Sequence, residues 1–346
     1  MATVHSRAVR AAAARPELIV SSSTDASTRA AGLLGITGIA ADATSLFASS
    51  EVDVIHVCTP NATHAALAAQ ALASGKHVIC EKPLATTVAD ARALAETARV
   101  SGRVAAVPFV YRYHPMVREA RARVAAGEAG TLLTIEGSYL QDWLLAANDD
   151  DWRVDADQGG ASRAFADIGS HLCDLIEFVT GDRIARLVAR TRTVHPQRGG
   201  ISVQTEDVAA VLVETRGGVL GTLLVSQTAP GRKNALVFEV HGTESSLRFA
   251  QERSEELWVG RRRGSEVLLR DPATASADSA RLSIVPAGHP MGYQDAFNAF
   301  VADAYATIEG GAPEGLPTFD DGLRAVLLTD AVLRSAERGE WVEVGE

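Results

Sequence analysis

A short apolar run that ends in an acid, a base and a proline is the first candidate for chemistry in this sequence. Residues 77–84 read His-Val-Ile-Cys-Glu-Lys-Pro-Leu. The apolar part predicts a buried parallel strand, and open α/β sheets bind ligands at the carboxyl ends of such strands. Pro83 biases Lys82 toward an extended backbone, which would direct its ammonium group beyond the sheet. A solvated charge pair of Glu81 and Lys82 at a strand end explains the octet equally well.

Two further candidates, Asp167 and His171, stand four residues apart at the start of a predicted apolar helix that runs to Val179. If both lie in its first turn, their side chains share one face, with about 5–6 Å between the Cβ atoms. A carboxylate beside an imidazole fixes the tautomer and raises the basicity, which suits proton transfer near neutral pH. An N-cap aspartate followed by a partly exposed histidine accounts for the spacing equally well. Cys173 and Asp174 would splay apart as metal ligands, so no metal site is predicted.

The elements that would position Lys82 alternate in type. We predict strands at residues 17–22, 53–58, 78–80 and 104–107, and helices at residues 3–14, 25–34, 64–74 and 88–100. Asp25 is the expected cap of the second helix. Alternating strands and helices of these lengths predict a parallel, doubly wound α/β sheet.

Beyond Tyr113 the pattern changes to long strands that follow one another. They are predicted at residues 131–140, 184–193, 207–215, 219–227, 236–242 and 246–249, after a helix at 114–126. Residues 261–263 are interpreted as a hairpin turn and residues 272–280 as a flexible loop, and helices at 292–309 and 320–338 precede an edge strand at 341–344. This order predicts an α+β domain with a mainly antiparallel sheet. The predicted domains are residues 1–113 and 114–346, and the C-terminal helix is a candidate to pack back on the first domain.

Composition excludes several classes of function. The chain has 346 residues and a formal net charge of −10, which argues against nucleic-acid binding. No apolar run approaches the roughly 18 residues that span a membrane, so no membrane association is predicted. Three widely spaced cysteines are typical of a reducing compartment without disulfides. We expect a soluble, cytoplasmic protein.

Five segments together resemble one family. They are residues 58–64 (Cys-Thr-Pro-Asn-Ala-Thr-His), 75–84, 112–115 (Arg-Tyr-His-Pro), 167–171 (Asp-Ile-Gly-Ser-His) and 318–322 (Thr-Phe-Asp-Asp-Gly). The chain resembles, over essentially its whole length, the Gfo/Idh/MocA oxidoreductases, which include glucose–fructose oxidoreductase and inositol 2-dehydrogenase. The resemblance implies a Rossmann-type domain that binds NAD or NADP, followed by a substrate domain that forms a homodimer or homotetramer. The implied activity is dehydrogenation of a hydroxyl group of a sugar, a polyol or a related small molecule.

The resemblance also implies roles for particular residues. Lys82 would contact the nicotinamide ribose and the reacting hydroxyl, His171 would accept its proton, and Asp167 would orient His171. The predicted cofactor-binding residues are Ser22, Thr59, Pro60, Asn61, His64, Glu81 and Lys82. The predicted substrate-binding residues are Asp167 and His171, with Arg112 and Tyr113, which precede the domain crossing, and Trp152 and Arg153, which lie in an acidic, irregular loop where specificity would vary. For Pro60, termination of a strand is a simple alternative, and Trp152 could instead plug a domain interface while Arg153 is solvated.

The sequence departs from the family at its start. Dinucleotide-binding sheets open with a strand and a glycine-rich turn, whereas this sequence begins inside the first helix. The glycines within residues 35–38 lie in a later connection, so they do not supply that turn. We expect a start assigned too late rather than a working truncation, and unpaired edges on the neighbouring strands. Serines at 21–23, with no acid at the ribose position, leave NAD and NADP undecided. The alternative function is a catalytically silent ligand-binding or regulatory protein, in which cofactor binding is impaired.

Overall fold

The computed structural model describes residues 1–345, which form two compact units. The first unit contains Met1–Val110 and Tyr293–Leu323, and the second contains Tyr111–Gly292 and the segment that begins at Arg324. The first boundary lies three residues before the predicted one. The assignment of residues 293–323 to the second domain is wrong, because Phe297 packs edge-on against the ring of His5 at 4.6 Å between centroids. Contacts of this kind join distant parts of the chain and leave no local pattern.

The helices and strands are as follows. The helices are α1 Ala2–Ala11, α2 Thr24–Leu34, α3 Ala43–Ala48, α4 His64–Ala73, α5 Val88–Ser101, α6 Pro115–Ala125, α7 Ala156–Gly159, α8 Ser170–Thr180, α9 Ala277–Leu282, α10 Tyr293–Ile308 and α11 Phe319–Arg338. The strands are β1 Leu18–Ile19, β2 Gly38–Ile39, β3 Val54–Val57, β4 His77–Cys80, β5 Ala105–Ala106, β6 Leu132–Leu140, β7 Ile184–Arg192, β8 Gln197–Arg198, β9 Ile201–Ser202, β10 Val208–Thr215, β11 Leu220–Ser226, β12 Ala235–Gly242, β13 Ser246–Ala250, β14 Glu256–Arg261, β15 Gly264–Leu269 and β16 Val342–Glu343.

The strands of the first unit are parallel, as predicted, and they form two sheets. One sheet pairs β1 with β2, and the other has the order β3-β4-β5. Strand β2 and helix α3 were not predicted. Ser23, and not Asp25, caps α2 by accepting from the N–H of Ala26, and Thr87 caps α5 in the same way.

The second unit is built on a nine-stranded, mainly antiparallel sheet, which confirms the predicted fold class. Its strand order is β15-β14-β13-β12-β6-β11-β10-β7-β16, and β6 and β11 run parallel. The predicted turn at 261–263 joins β14 and β15, and the predicted final edge strand is β16. Helix α9 falls partly within residues 272–280, so the flexible-loop prediction is wrong for the end of that segment.

One face of the nine-stranded sheet carries helix α8, which begins with His171 in its first turn. Gly137 on β6 makes the close approach possible, since a Cβ there would lie 3.0 Å from atoms of Leu172 and Leu223. Inward residues such as Phe238 and Val240 are completely buried beneath this helical layer. The packing therefore fixes the start of α8 over the middle of the sheet.

None of the helices within residues 1–345 combines the length and apolar character needed to cross a membrane.

Candidate active site

Strands β3 and β4 bring two of the predicted segments to the same edge of their sheet. Val57 pairs with Cys80, and the N–H of Glu81 donates to the carbonyl of Val57 at 3.0 Å. Because parallel strands end together, residues 59–61 and 81–82 follow at neighbouring positions. This edge is where the predicted contacts to the nicotinamide half of a cofactor converge.

His64 braces these two segments. Its Nδ1 lies 2.7 Å from the carbonyl oxygen of Pro83 and its Nε2 lies 2.9 Å from that of Thr59. Burial lowers the pKa of His64, although both carbonyls act in the opposite direction. A neutral imidazole donates from one nitrogen only, so the ring holds one carbonyl at a time. Its position indicates a structural role between the segments that end β3 and β4, and its predicted cofactor contact stays a prediction.

Glu81 is the end of a buried chain of hydrogen bonds. His5 Nε2 lies 2.9 Å from Glu81 Oε1, His5 Nδ1 lies 2.8 Å from His56 Nδ1, and His56 Nε2 lies 2.9 Å from the hydroxyl of Tyr305. Burial opposes the charge of Glu81, but the bond from His5 lowers its pKa to about 2. Burial and the charge on His5 lower the pKa of His56. A protonated His5 that donates to Glu81 and to a neutral His56 satisfies all three contacts.

The segment that follows Lys82 is fixed by close packing. The N–H of Lys82 lies 3.3 Å from Glu81 Oε2, the Lys82–Pro83 peptide is cis, and Leu84 is completely buried. A Cβ at Gly322 would lie 2.9 Å from atoms of Leu84 and Val107. This contact gives a physical reason for the glycine in the 318–322 motif, which the sequence alone did not supply.

Asp167 and His171 lie in two different kinds of helical turn. Asp167 belongs to a π-helical turn, Phe165–Gly169, whereas His171 stands in the first turn of α8. The two residues therefore do not share one α-helical turn, which was the condition for the expected separation of their Cβ atoms. A Cβ at Gly169 would lie 2.6 Å from the ring of Phe165, so the π turn needs a glycine there.

Glu206 holds the start of this turn, and no sequence motif pointed to it. Its buried carboxylate accepts from the N–H groups of Arg163 at 3.1 Å and Phe165 at 2.8 Å, and from the hydroxyl of Ser162 at 2.7 Å. Burial raises the pKa of Glu206, while these donors oppose the rise. Two of these bonds satisfy backbone donors that would otherwise be unpaired at a helix start, and the third satisfies the hydroxyl of Ser162.

Asp167 also has side-chain partners on other elements. Gln227 Nε2 donates to Asp167 Oδ2 at 2.9 Å, and Arg153 Nε lies 3.7 Å from Asp167 Oδ1. The guanidinium of Arg153 stacks on Trp152, with its Cζ 4.4 Å from the ring centroid. The structure thus brings the predicted residue Arg153 close to Asp167, and the predicted residue Trp152 stacks on Arg153. Gln227 was missed, since a glutamine at a strand end carries no distinctive signal.

A network of neutral polar groups lies beside His171. The ring of Tyr111 meets that of His171 edge-on at 5.1 Å, and its hydroxyl lies 2.5 Å from that of Tyr139 and 3.0 Å from Asn234 Nδ2. Gln141 Nε2 donates to Asn234 Oδ1 at 2.9 Å. Burial raises the pKa of Tyr111. This network was not predicted from the sequence, although Gln141 directly follows the predicted strand at residues 131–140.

Arg112 and Tyr113 are used inside the second unit. Arg112 Nε donates to Asp174 Oδ2 at 2.8 Å, and its Nη2 donates to the other carboxylate oxygen. Tyr113 is completely buried, with the guanidinium of Arg118 over its ring at 4.8 Å. These contacts show structural roles for both residues, and the predicted substrate contacts stay predictions.

Two other expectations concern Ser22 and metal binding. Ser22 is exposed and stands between Ser21, whose N–H donates to Ser27, and Ser23, which caps α2. Its predicted contact with the cofactor stays a prediction. Within residues 1–345, no three His, Cys, Asp or Glu side chains come together as a possible metal site.

Comparisons with known proteins agree with a Rossmann domain followed by a second domain. Residues 1–109 match the family model of the NAD-binding Rossmann fold of the oxidoreductase family, and residues 117–248 match the GFO/IDH/MocA C-terminal domain. Levoglucosan dehydrogenase of Pseudarthrobacter phenanthrenivorans is 31% identical over 95% of this chain and 89% of that protein. Its structure in complex with NADH and levoglucosan superposes with a TM-score of 0.93 and 31% identity, over 100% of this chain and 97% of that chain.

A second solved structure extends the comparison. An oxidoreductase domain protein from Kribbella flavida is 36% identical, with a TM-score of 0.92, over 100% of this chain and 96% of that chain. This chain therefore belongs to the Gfo/Idh/MocA family of oxidoreductases, and its first unit is an NAD-binding Rossmann domain.

Proposed function

We propose that this protein is a dehydrogenase that oxidises a hydroxyl group of a sugar or polyol, or reduces the corresponding carbonyl. The observation that carries the proposal is the carboxylate of Asp167, which accepts a hydrogen bond from Gln227. His171 follows four residues later, beside the neutral polar network around Tyr111. A structural aspartate would not need a buried amide, a guanidinium and a glycine-dependent π turn. Family membership agrees with this function.

The ends of β3 and β4 fit the nicotinamide half of the cofactor. Thr59, Pro60, Asn61 and Lys82 follow two parallel strands at one edge, where the backbone is braced by His64. In the proposal these residues hold the nicotinamide and its ribose. The bound cofactor supplies the hydride acceptor or donor, and the protein supplies binding, orientation and proton transfer.

Proton transfer is assigned to the second unit. His171 accepts the hydroxyl proton during oxidation, and Asp167 orients His171 and stabilises its charged form. Lys82 donates a hydrogen bond to the reacting oxygen, which fixes the substrate for hydride transfer.

The substrate class follows from the groups near His171. Tyr111, Tyr139, Gln141 and Asn234 offer hydroxyl and amide groups, which both donate and accept. Arg153 and Trp152 add a cation stacked on an aromatic ring. Neutral groups of this kind match the hydroxyls of a sugar better than they match a charged acid. Levoglucosan, which one similar enzyme binds, is the first compound to test.

The test is the formation of NADH or NADPH, measured at 340 nm with a panel of sugars, polyols and anhydrosugars. We expect turnover with at least one compound, and loss of at least about 100-fold in kcat for Lys82→Met and His171→Ala. His241→Ala, at a histidine on β12 outside the proposed site, serves as the matched control. Binding of cofactor or sugar without turnover across the panel would support the silent ligand-binding alternative instead.

Cofactor preference rests on the segment after β1. Residues 21–23 are serines, with no acid to hold a ribose 2′-hydroxyl, and Arg29 is a candidate partner for a 2′-phosphate. Comparison of kcat/KM for NAD⁺ and NADP⁺ in wild type and in Arg29→Ala tests this. A selective loss with NADP⁺ would identify Arg29 as that partner.

We further propose self-association through the uncovered face of the nine-stranded sheet. Leu212, Leu220 and Leu224 are 48%, 54% and 43% exposed, and they lie on the same face of β10 and β11. An apolar cluster of this kind marks an interaction surface, and family resemblance suggests a homodimer or homotetramer. Light scattering should show a multiple of 36.4 kDa for wild type and a smaller species for Leu224→Glu. A wild-type monomer would refute the assignment.

A further inference from the structure

Gln227 is a completely buried polar side chain in contact with Asp167. It directly follows β11, it has no exposed surface, and its Nε2 donates to Asp167 Oδ2 at 2.9 Å. Neither the sequence motifs nor the roles given above account for a buried amide at this point.

The backbone of Gln227 is fixed on both sides. Its N–H donates to the carbonyl of Asp207 at 3.0 Å, and its carbonyl accepts from the N–H of Leu144 at 3.2 Å. The reach of the amide toward Asp167 is therefore set by the sheet rather than by a mobile loop.

One buried ion cluster anchors both partners of this hydrogen bond. The carboxylate of Asp207 accepts from Arg163 and, at 2.9 Å, from Arg198, and all three side chains are completely buried. The N–H of Asp167 donates to the carbonyl of Arg163 at 2.8 Å. Asp207 thus fixes the backbone of Gln227, while Arg163 fixes that of Asp167.

The chemistry of an amide explains why glutamine suits this position. Its NH₂ group attracts a carboxylate, whereas its carbonyl oxygen would repel one. The donor therefore favours the ionised form of Asp167, since a hydrogen bond to the charged form stabilises that form. Charged or titratable groups near this carboxylate include Arg153, at 3.7 Å from the other oxygen, and the phenol of Tyr111, whose pKa it helps to raise. His171, the proposed proton acceptor, lies four residues further along the chain.

We propose that Gln227 is a positioning residue for the reaction: it keeps the Asp167 carboxylate ionised and in one orientation toward His171, without touching the substrate itself. The inference rests on the proposed dehydrogenase function. Loss of a hydrogen bond to a charged group lowers kcat by about 10- to 100-fold when that group acts in catalysis.

The experiment compares Gln227→Met and Gln227→Glu with wild type. Methionine keeps the length but has no donor, so we expect kcat to fall by about 10- to 100-fold and KM for the cofactor to stay unchanged. The acid limb of the pH profile should move up by about one pH unit. Glutamate repels Asp167 at neutral pH and donates to it once protonated, so activity relative to Gln227→Met should recover as the pH falls. Gln251→Met, at a partly buried glutamine outside the site, is the matched control.

A second readout separates this inference from the proposed function. A ¹³C NMR titration of aspartate-labelled protein reports the pKa of Asp167 directly, and Gln227→Met should raise it by about one pH unit even if no sugar is turned over. A folded Gln227→Met protein with unchanged kcat, pH profile and Asp167 titration would overturn the inference. A Gln227→Glu protein without recovery at low pH would also count against it.

Discussion

The ion pair between His5 and Glu81 makes the stability of the first unit depend on pH in a defined way. Both side chains are buried, at 3% and 8% exposure, and the charged nitrogen and oxygen are 2.9 Å apart. Burial opposes both charges. Interactions with Cys58 and Glu81 nevertheless raise the pKa of His5 to about 10, and the bond from His5 lowers that of Glu81 to about 2.

The pH range in which the pair stabilises the protein follows from the raised pKa of His5 and the lowered pKa of Glu81. Glu81, whose pKa is lowered from 4.5, contributes stability that is complete above pH 4.5 and is lost as the pH falls toward 2. His5, whose pKa is raised from 6.5, contributes stability that is complete below pH 6.5 and is lost as the pH rises toward 10. The pair therefore stabilises the first unit most between about pH 4.5 and pH 6.5.

The magnitude can be estimated from Glu81. A fall from 4.5 to about 2 corresponds to about 3 kcal/mol, at about 1.4 kcal/mol for each factor of ten in the acid constant. Removal of one partner from a buried pair costs about 3–5 kcal/mol, which agrees. Because the two pKa changes describe one interaction, it is counted once. A loss of about 3 kcal/mol lowers the Tm of a unit of this size by about 6–12 °C.

The assay is thermal unfolding of wild type, His5→Leu and His5→Gln at about pH 6 and about pH 10.5. We expect His5→Leu to lose about 6–12 °C at pH 6, with most of that difference gone at pH 10.5, where His5 of the wild type is neutral. His5→Gln keeps a donor for Glu81 without the charge, so its loss at pH 6 should be smaller, and its gap from wild type should also close at pH 10.5, because the change with pH comes from His5 of the wild type. His289→Leu, at an exposed histidine, is the control. An equal gap between wild type and His5→Leu at both pH values would refute the ionic explanation.

Three further predictions follow from the packing. Gly169→Ala places a Cβ against the ring of Phe165, and we expect a loss of about 1–3 kcal/mol in the free energy of unfolding, measured with urea. In steady-state kinetics, the decrease in kcat should be larger than the change in KM. Asp174→Ala leaves the buried guanidinium of Arg112 without its carboxylate and should cost about 3–5 kcal/mol in the same unfolding assay; a loss below about 1 kcal/mol would contradict the structural role. Of the three cysteines, only the partly exposed Cys58 should react rapidly with a thiol reagent in the native protein, because the other two are buried; rapid reaction of all three would contradict that burial.

Local pattern was sufficient for much of the fold. Apolar runs predicted β4 and β6 to within one residue, and the change from alternating elements to consecutive strands predicted the second, α+β unit. Strand β2, with two residues, was too short to give a signal. The membership of α10 in the first unit was missed because it depends on Phe297 meeting His5, nearly three hundred residues away.

The residues of the candidate site also divide into those that a local motif predicted and those that only tertiary contacts revealed. Lys82, Asp167 and His171 were proposed as site residues from residue type, spacing and resemblance, since a strand end or a helix start that carries reactive groups leaves a local motif. Gln227 and Glu206 were not, because a buried amide and a buried carboxylate acquire their roles only from what they contact.

The sequence by itself determined the family, the two kinds of domain and the residues with reactive groups. Periodicity, turn residues and motifs are properties of short segments, and they can be recognised without knowing how the chain packs. The tertiary structure decided which partners hold those groups: His5 for Glu81, Asp174 for Arg112 and Gln227 for Asp167. Each of these pairs joins residues at least sixty positions apart, and only the folded chain brings their charges and donors within hydrogen-bonding distance.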